Sequence, residues 1–138
     1  MQSGPLDILL RQAKSASWET RAAAAAALAS RLDSDDAARA MLDLLRDPDD
    51  TAVGQVALEA LLGRGDQRAA DIVFEGVATA TDDVAEHLLY FIARQHSREP
   101  GRSSLVGLAR GRAIGRPGPV KDGAAAVLDS IGVDPADG

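Results

Sequence analysis

The 138-residue chain contains no cysteine, which removes disulfides, thiolate metal sites and cysteine nucleophiles at once. Aromatic residues are nearly absent as well: Trp18, Phe74, Tyr90 and Phe91 are all there are. The interior must therefore be built from aliphatic side chains and alanine. No stretch approaches the roughly 18 strongly apolar residues that cross a bilayer as a helix. The run at residues 22–29 is apolar, but it is too short and too weakly hydrophobic to span, and it reads as a buried helix. The opening MQSGPLDILL lacks the basic region and long apolar core of a secretory signal, so a cytoplasmic location is expected. Period-two alternation of apolar and polar residues is almost missing, and with it the signature of half-buried strands.

What remains is rich in alanine, the strongest helix former and the side chain that lets helices approach closely. Apolar residues recur at three- and four-residue spacing in eight segments bounded by Gly, Pro, Asp or Ser, which predicts eight short helices. The first is expected over about residues 5–14, with Pro5 tolerated at a first helical position where its missing N–H has no partner to lose. Ser17 can cap the second, Glu19 suits its positive end and Arg31 its negative end. Ser34 with Asp35 and Asp36, Asp49 with Asp50, and Thr81 with Asp82 and Asp83 each place oxygens where free backbone N–H groups point. Gly63 and Gly65 bracket one helix end, Gly132 marks another, and Pro119 opens the last helix.

Charge is unevenly spread. Residues 1–93 hold 8 basic and 16 acidic side chains, residues 94–121 hold 7 basic and 1 acidic, and the remaining tail carries four carboxylates, for a net charge of −6. Such a field steers encounters with partners and does not set the fold.

The predicted helices pair into a repeat. With the second helix of each pair aligned on Arg21, Gly54, Ala85 and Lys121, the preceding residues are Thr20, Val53, Val84 and Val120. Three positions on stand Ala24, Ala57, Leu88 and Ala124; four on, Ala25, Leu58, Leu89 and Ala125; seven on, Leu28, Leu61, Ile92 and Leu128. This is one apolar stripe repeated four times, in steps of 33, 31 and 36 residues. The segment MLDLLRDPDDTAVGQVALEALLGRGD, with its LLRD ending, DPDD turn, Val53, Ala57 and Leu61, resembles a HEAT repeat. WETRAAAAAAL and PVKDGAAAVLDSIG resemble second helices of the same family. The resemblance implies an all-α fold, an α-solenoid of about four two-helix HEAT-like repeats. It is expected as a single domain over residues 1–133, with residues 134–138 as a flexible tail. In the family a basic residue after the valine helps tie neighbouring repeats; Arg21 and Lys121 fit this, whereas Gly54 and Ala85 do not. An alanine-rich helical bundle is the competing architecture, and the regular register favours the solenoid.

A search for chemistry finds little. His87 and His96 stand nine residues apart, about two and a half helical turns, so their imidazoles point in nearly opposite directions and cannot share a metal. Glu86 beside His87 does not form HExxH, no GxSxG elbow is present, and GRAIGRPG is neither a phosphate loop nor a dinucleotide fingerprint. Asp47, Asp49 and Asp50 lack the spacing of an EF-hand and read as a turn and a helix cap. No enzyme activity, cofactor or metal is expected.

The resemblance implies that second helices line the concave, partner-binding surface. Offsets of one, five and nine from Arg21 and its three counterparts fall off the apolar stripe and select Gln55, Glu59, Glu86, Tyr90, Arg94 and Asp122 as partner-binding candidates. Tyr90 can anchor a partner or pack on the next repeat. Trp18 is expected to cover the end of the stack, and Ala22 and Ala26 leave that end of the groove smooth. Arg98, Arg102, Arg110, Arg112 and Arg116 are interleaved with Gly and Pro, which fits a solvated loop, contact with an acidic protein or contact with nucleic acid. The acidic pI near 4.8 and the shortage of stacking aromatics weigh against nucleic acid. The expected role is a small scaffold, adaptor or inhibitor-type module for another protein, with no membrane partner, acting as a monomer or weak oligomer. The alternative is a nucleic-acid-binding or enzyme-associated protein, since some relatives of HEAT proteins act as lyases or glycosylases.

Overall fold

The computed structural model describes residues 5–98 and 105–132, and these contain eight α-helices and no strand. They are α1 (Pro5–Gln12), α2 (Trp18–Leu28), α3 (Asp35–Leu45), α4 (Thr51–Arg64), α5 (Gln67–Thr79), α6 (Asp82–Arg98), α7 (Leu105–Ala113) and α8 (Pro119–Ser130), with one 3-10 turn, Ala29–Arg31, extending α2. The expected tail at residues 134–138, Arg102 and the side chain of Arg98 lie outside the described residues.

Local chemistry sets the helix ends. Ser17 accepts the Thr20 N–H at 3.4 Å and Ser34 accepts that of Ala37 at 3.4 Å. Asp50 takes Ala52 N–H at 2.8 Å, and Thr81 Oγ1 takes Val84 N–H at 3.5 Å. Pro119 is the first residue of α8. Two boundaries differ from expectation. The first helix stops at Gln12, and Gly63 lies inside α4, so Gly65, with φ 66°, alone supplies the left-handed ending. Asp66 caps α5 by accepting Ala69 N–H at 3.0 Å, a cap hidden in the sequence by the glycines before it.

The helices form two layers. The first helices α1, α3, α5 and α7 neighbour one another in order, and so do the second helices α2, α4, α6 and α8. A single aliphatic core runs between the layers. The residues three and seven places after Arg21, Gly54, Ala85 and Lys121 are buried in all four repeats. Phe74 is the largest fully buried side chain, with Leu28, Leu45, Leu58, Leu61, Ile92 and Leu128 around the same core.

Regularity fails at the C-terminal end. The most extensive helix interface joins α5 to α8, a first helix to the second helix of the following repeat, and it exceeds the contact between α8 and its expected neighbour α6. Gly123 makes this possible: a Cβ there would collide with the Phe74 backbone carbonyl. Backbone meets backbone only because the side chain is missing. As α8 turns to bring Gly123, Ala124, Val127 and Leu128 inward, Ala125 is carried out to solvent, contrary to its expected place in the stripe.

Arginines hold the repeats together, largely at positions other than those expected. Arg21 does tie its repeat to the next: Nε reaches Asp47 at 2.9 Å and Nη1 donates to the Ser15 carbonyl at 2.8 Å. Lys121 makes no ion pair among the described residues, and Gly54 and Ala85 carry no charge to offer. Four arginines elsewhere make the ties. Arg46 bonds Thr79 Oγ1 at 2.7 Å, Arg64 bonds the Ala29 carbonyl at 2.7 Å, Arg68 bonds the Leu32 carbonyl and Asp35, and Arg112 grips Asp71 with two nitrogens at 2.9 and 3.0 Å. Arg64 and Arg68 thus satisfy carbonyls left free at the end of α2 and its 3-10 turn, where positive charge is also favoured by the helix dipole.

Candidate functional site

Aligned on Arg21, Gly54, Ala85 and Lys121, the second helices present their off-stripe positions as rows. One residue after Arg21, Gly54, Ala85 and Lys121 stand Ala22, Gln55, Glu86 and Asp122; five after, Ala26, Glu59, Tyr90 and Ala126; nine after, Ser30, Gly63, Arg94 and Ser130. Every residue at offset nine is exposed, and at offset five only Ala126 is partly covered. Ala22 is buried, so the smooth N-terminal end rests on Ala26 alone.

Glu59, Glu86, Tyr90, Arg94 and Asp122 are solvent-exposed and Gln55 is half-buried, distributed over α4, α6 and α8. Gln55 and Glu59 are joined directly, Nε2 donating to Oε1 at 3.3 Å. Glu86, Tyr90 and Arg94 follow one another at single helical turns along α6, and Asp122 stands on neighbouring α8. Tyr90 is 62 % exposed and is not among the side chains packed against the core. Trp18, expected to cover the end of the stack, is itself 45 % exposed and outside the core.

Other candidate features are structural. Asp47, one member of the acidic turn, is buried and accepts the N–H groups of Asp49 at 2.8 Å and Asp50 at 3.2 Å in addition to Arg21. An open recess of about 530 Å³ lies beside it, bordered by Lys14, Ser15, Arg21, Leu44 and Pro48, but its best-placed charges, Arg21 and Asp47, are spent on each other. The His87 ring lies 6.0 Å from that of Phe91 at a tilt of 47°, partly packed as a side chain on a helix flank should be. His96 is half-buried with Nδ1 enclosed and unpaired. Among the described residues no three His, Cys, Asp or Glu side chains converge on a metal position, and no helix is long and apolar enough to cross a membrane. The expected solvated arginine loop is partly helical: Arg110 and Arg112 form the last turn of α7, and Arg112 is committed to Asp71, which raises the Arg112 pKa further.

Two stacked layers of short helices around an aliphatic core, with one layer exposing a row-ordered polar face, define an α-helical repeat protein of the solenoid class. Residues 6–90 match the family model for HEAT repeats, more than half of the chain, and the chain belongs to that family. HEAT repeats commonly mediate protein interactions, and their fold is typically a scaffold without enzyme activity. No curated protein and no solved structure matches the chain. The family match ends at Tyr90, midway along α6 and before the segment in which α8 leaves the regular stack for α5.

Proposed function

We propose that this chain is a protein-binding module that recognises another protein across the exposed face of its second helices and serves as an adaptor or as an inhibitor that covers its partner's surface. Gln55, Glu59, Glu86, Tyr90, Arg94 and Asp122 form the contact. The observation that carries this reading is Tyr90, 62 % exposed on a face that also holds small residues at Ala26, Gly63, Ala126 and Ser130. An exposed amphipathic ring offers contact area at low entropic cost, and the small residues elsewhere on the face leave room for a partner backbone. The carboxylates of Glu59, Glu86 and Asp122 on the same face oppose a phosphate backbone, which favours a protein over a nucleic acid.

Capture of partners by the wild-type chain and by a Glu86→Ala, Tyr90→Ala, Arg94→Ala variant tests the reading, with circular dichroism to show that both are folded. The variant should lose the partner that the wild type retains. Equal capture by both would place the binding surface elsewhere.

A further inference from the structure

In the ion pairs found among the described residues, every carboxylate lies off the second helices. These carboxylates are Asp35, Asp43, Asp47, Asp66 and Asp71, all on first helices or in the turns between helices. The second helices carry Glu19, Glu59, Asp82, Asp83, Glu86, Asp122 and Asp129, and none of these is in an ion pair among the described residues. Glu19, Asp82, Asp83 and Asp122 occupy first turns, where the helix dipole accounts for them. It does not account for the rest: Glu59 and Glu86 stand beyond the first turns, and Asp129 sits in the last turn of α8, where the dipole opposes it. Of the cations on these helices whose side chains are described, Arg21 and Arg64 are committed to structural bonds, leaving Arg94 and Lys121. The face is thus an unpartnered helix surface with uncompensated negative charge around an exposed tyrosine.

From this charge balance, and resting on the face proposed above as the binding surface, we infer that the partner presents a basic segment, a helix or strand bearing lysine or arginine. One cation of that segment lies over the Tyr90 ring, which attracts it through the negative face of the π-system. Others meet Glu59, Glu86 and Asp122. Ala26, Gly63 and Ser30 leave the partner backbone room to approach, and Arg94 repels a cation one turn away and so sets the direction of the segment.

The test uses fluorescence anisotropy with two labelled amphipathic peptides of the same length and apolar face, one lysine-bearing and one glutamate-bearing. The lysine peptide should bind, lose most of its affinity between about 50 and about 500 mM NaCl, and weaken about tenfold on Tyr90→Ala. A Glu59→Gln, Glu86→Gln, Asp122→Asn variant should weaken it about tenfold too, whereas Asp33→Asn, Asp36→Asn, Asp49→Asn, which removes the same charge away from the face, should change it less than about twofold. Binding of the glutamate peptide in a Tyr90-dependent manner would overturn the basic-partner inference while leaving the face intact. Lysine-peptide binding that ignores Tyr90 and responds equally to both charge variants would overturn the inference and the face together. Failure of both peptides to bind would refute the inference, and the capture experiment above would then decide the face alone.

Discussion

Removal of the Asp47 carboxylate should be among the most damaging single changes outside the aliphatic core. Asp47 is only 8 % exposed and its partner Arg21 only 14 %, so both charges lie largely out of water. The carboxylate accepts one guanidinium N–H at 2.9 Å and two backbone N–H groups at 2.8 and 3.2 Å, joining α2 to the turn that begins α4. Asp47→Ala strips Arg21 of its anion and leaves the N–H groups of Asp49 and Asp50 to find water. Breaking a buried pair from one side costs about 3–5 kcal/mol. Because the turn is open to solvent at Asp49, both N–H groups can be rehydrated, which favours the lower part of that range, about 3–4 kcal/mol. Against the roughly 5–15 kcal/mol typical of a domain, this is a substantial fraction.

Urea unfolding followed by far-UV circular dichroism reads the loss as a midpoint shift of about 1.5–2 M at a slope near 2 kcal/mol/M. Asp47→Asn keeps an oxygen for the turn N–H groups but forfeits the charge, and should cost about half as much. An Arg21→Met, Asp47→Leu double variant should recover much of the loss, because a matched apolar pair removes both desolvation penalties. A shift below about 1 kcal/mol for Asp47→Ala, or additive effects at the two positions, would show that the pair is solvated and that something else joins the first two repeats.

Three glycines give a ranked series. Gly123→Ala sets a methyl group against the Phe74 backbone, which cannot move aside, and should cost about 3 kcal/mol or more; Gly76→Ala meets the flexible end of Leu45 and should cost about 1–2; Gly54→Ala, 3.0 Å from the Leu45 carbonyl, should come within about 1 kcal/mol of neutral because alanine also favours the helix. Equal losses at Gly123 and Gly76 in thermal unfolding would refute the close α5–α8 contact. The Asp66 carboxyl is held below its ordinary pKa, first by its hydrogen bond from Arg64 and then by the Ala69 N–H, so its contribution to stability is complete above about pH 4 and fades as pH falls through the lowered value. Asp66→Asn should therefore be less stable than wild type at about pH 7, with the gap closing below about pH 4 and shrinking in high salt because the carboxylate is partly exposed; a gap that persists at about pH 2 would be inconsistent with this cause.

Much of this architecture is legible in the sequence because its determinants are local. Ser17, Ser34, Asp50 and Pro119 act within one helical turn, and the apolar columns three and seven residues after Arg21 and its counterparts are fixed by a 3.6-residue period whatever lies opposite. The ties between repeats are not local. Arg64 and Arg68 reach carbonyls 35 and 36 residues back, about one repeat, and Arg112 reaches 41 residues to Asp71. None of them stands in the column where the family places its basic residue, and no sequence feature distinguishes them from other surface arginines. The inward turn of α8 is equally hidden, since Gly123 in PVKDGAAAVLDS reads as a mild helix weakener until Phe74, 49 positions earlier, is seen beneath it. The candidate face, by contrast, follows directly from the register, and its exposure is the complement of the buried stripe.

The departure of α8 bears on where binding specificity resides. A regular solenoid would set α8 against α6 as α6 sits against α4, giving equal footing to every row. Here α8 is drawn toward α5 by the Gly123 contact, α6 is packed less closely by its flanking second helices than α4 is by α2, and Leu88 and Ile92 are the only fully buried apolar residues described on α6. A helix held by two deep aliphatic anchors can expose Tyr90 more fully than a helix wedged between two others. A glycine in mid-helix, which weakens α8 locally, thus opens the flank on which the aromatic residue of the face stands. On that coupling, a Gly123→Ala chain that remains folded should lose partner capture along with the α5–α8 contact, although Gly123 is itself buried, and an Asp122→Asn control separates this from a local disturbance of the adjoining face residue. Retained capture by the folded variant would separate the two and assign Tyr90's exposure to α6 alone.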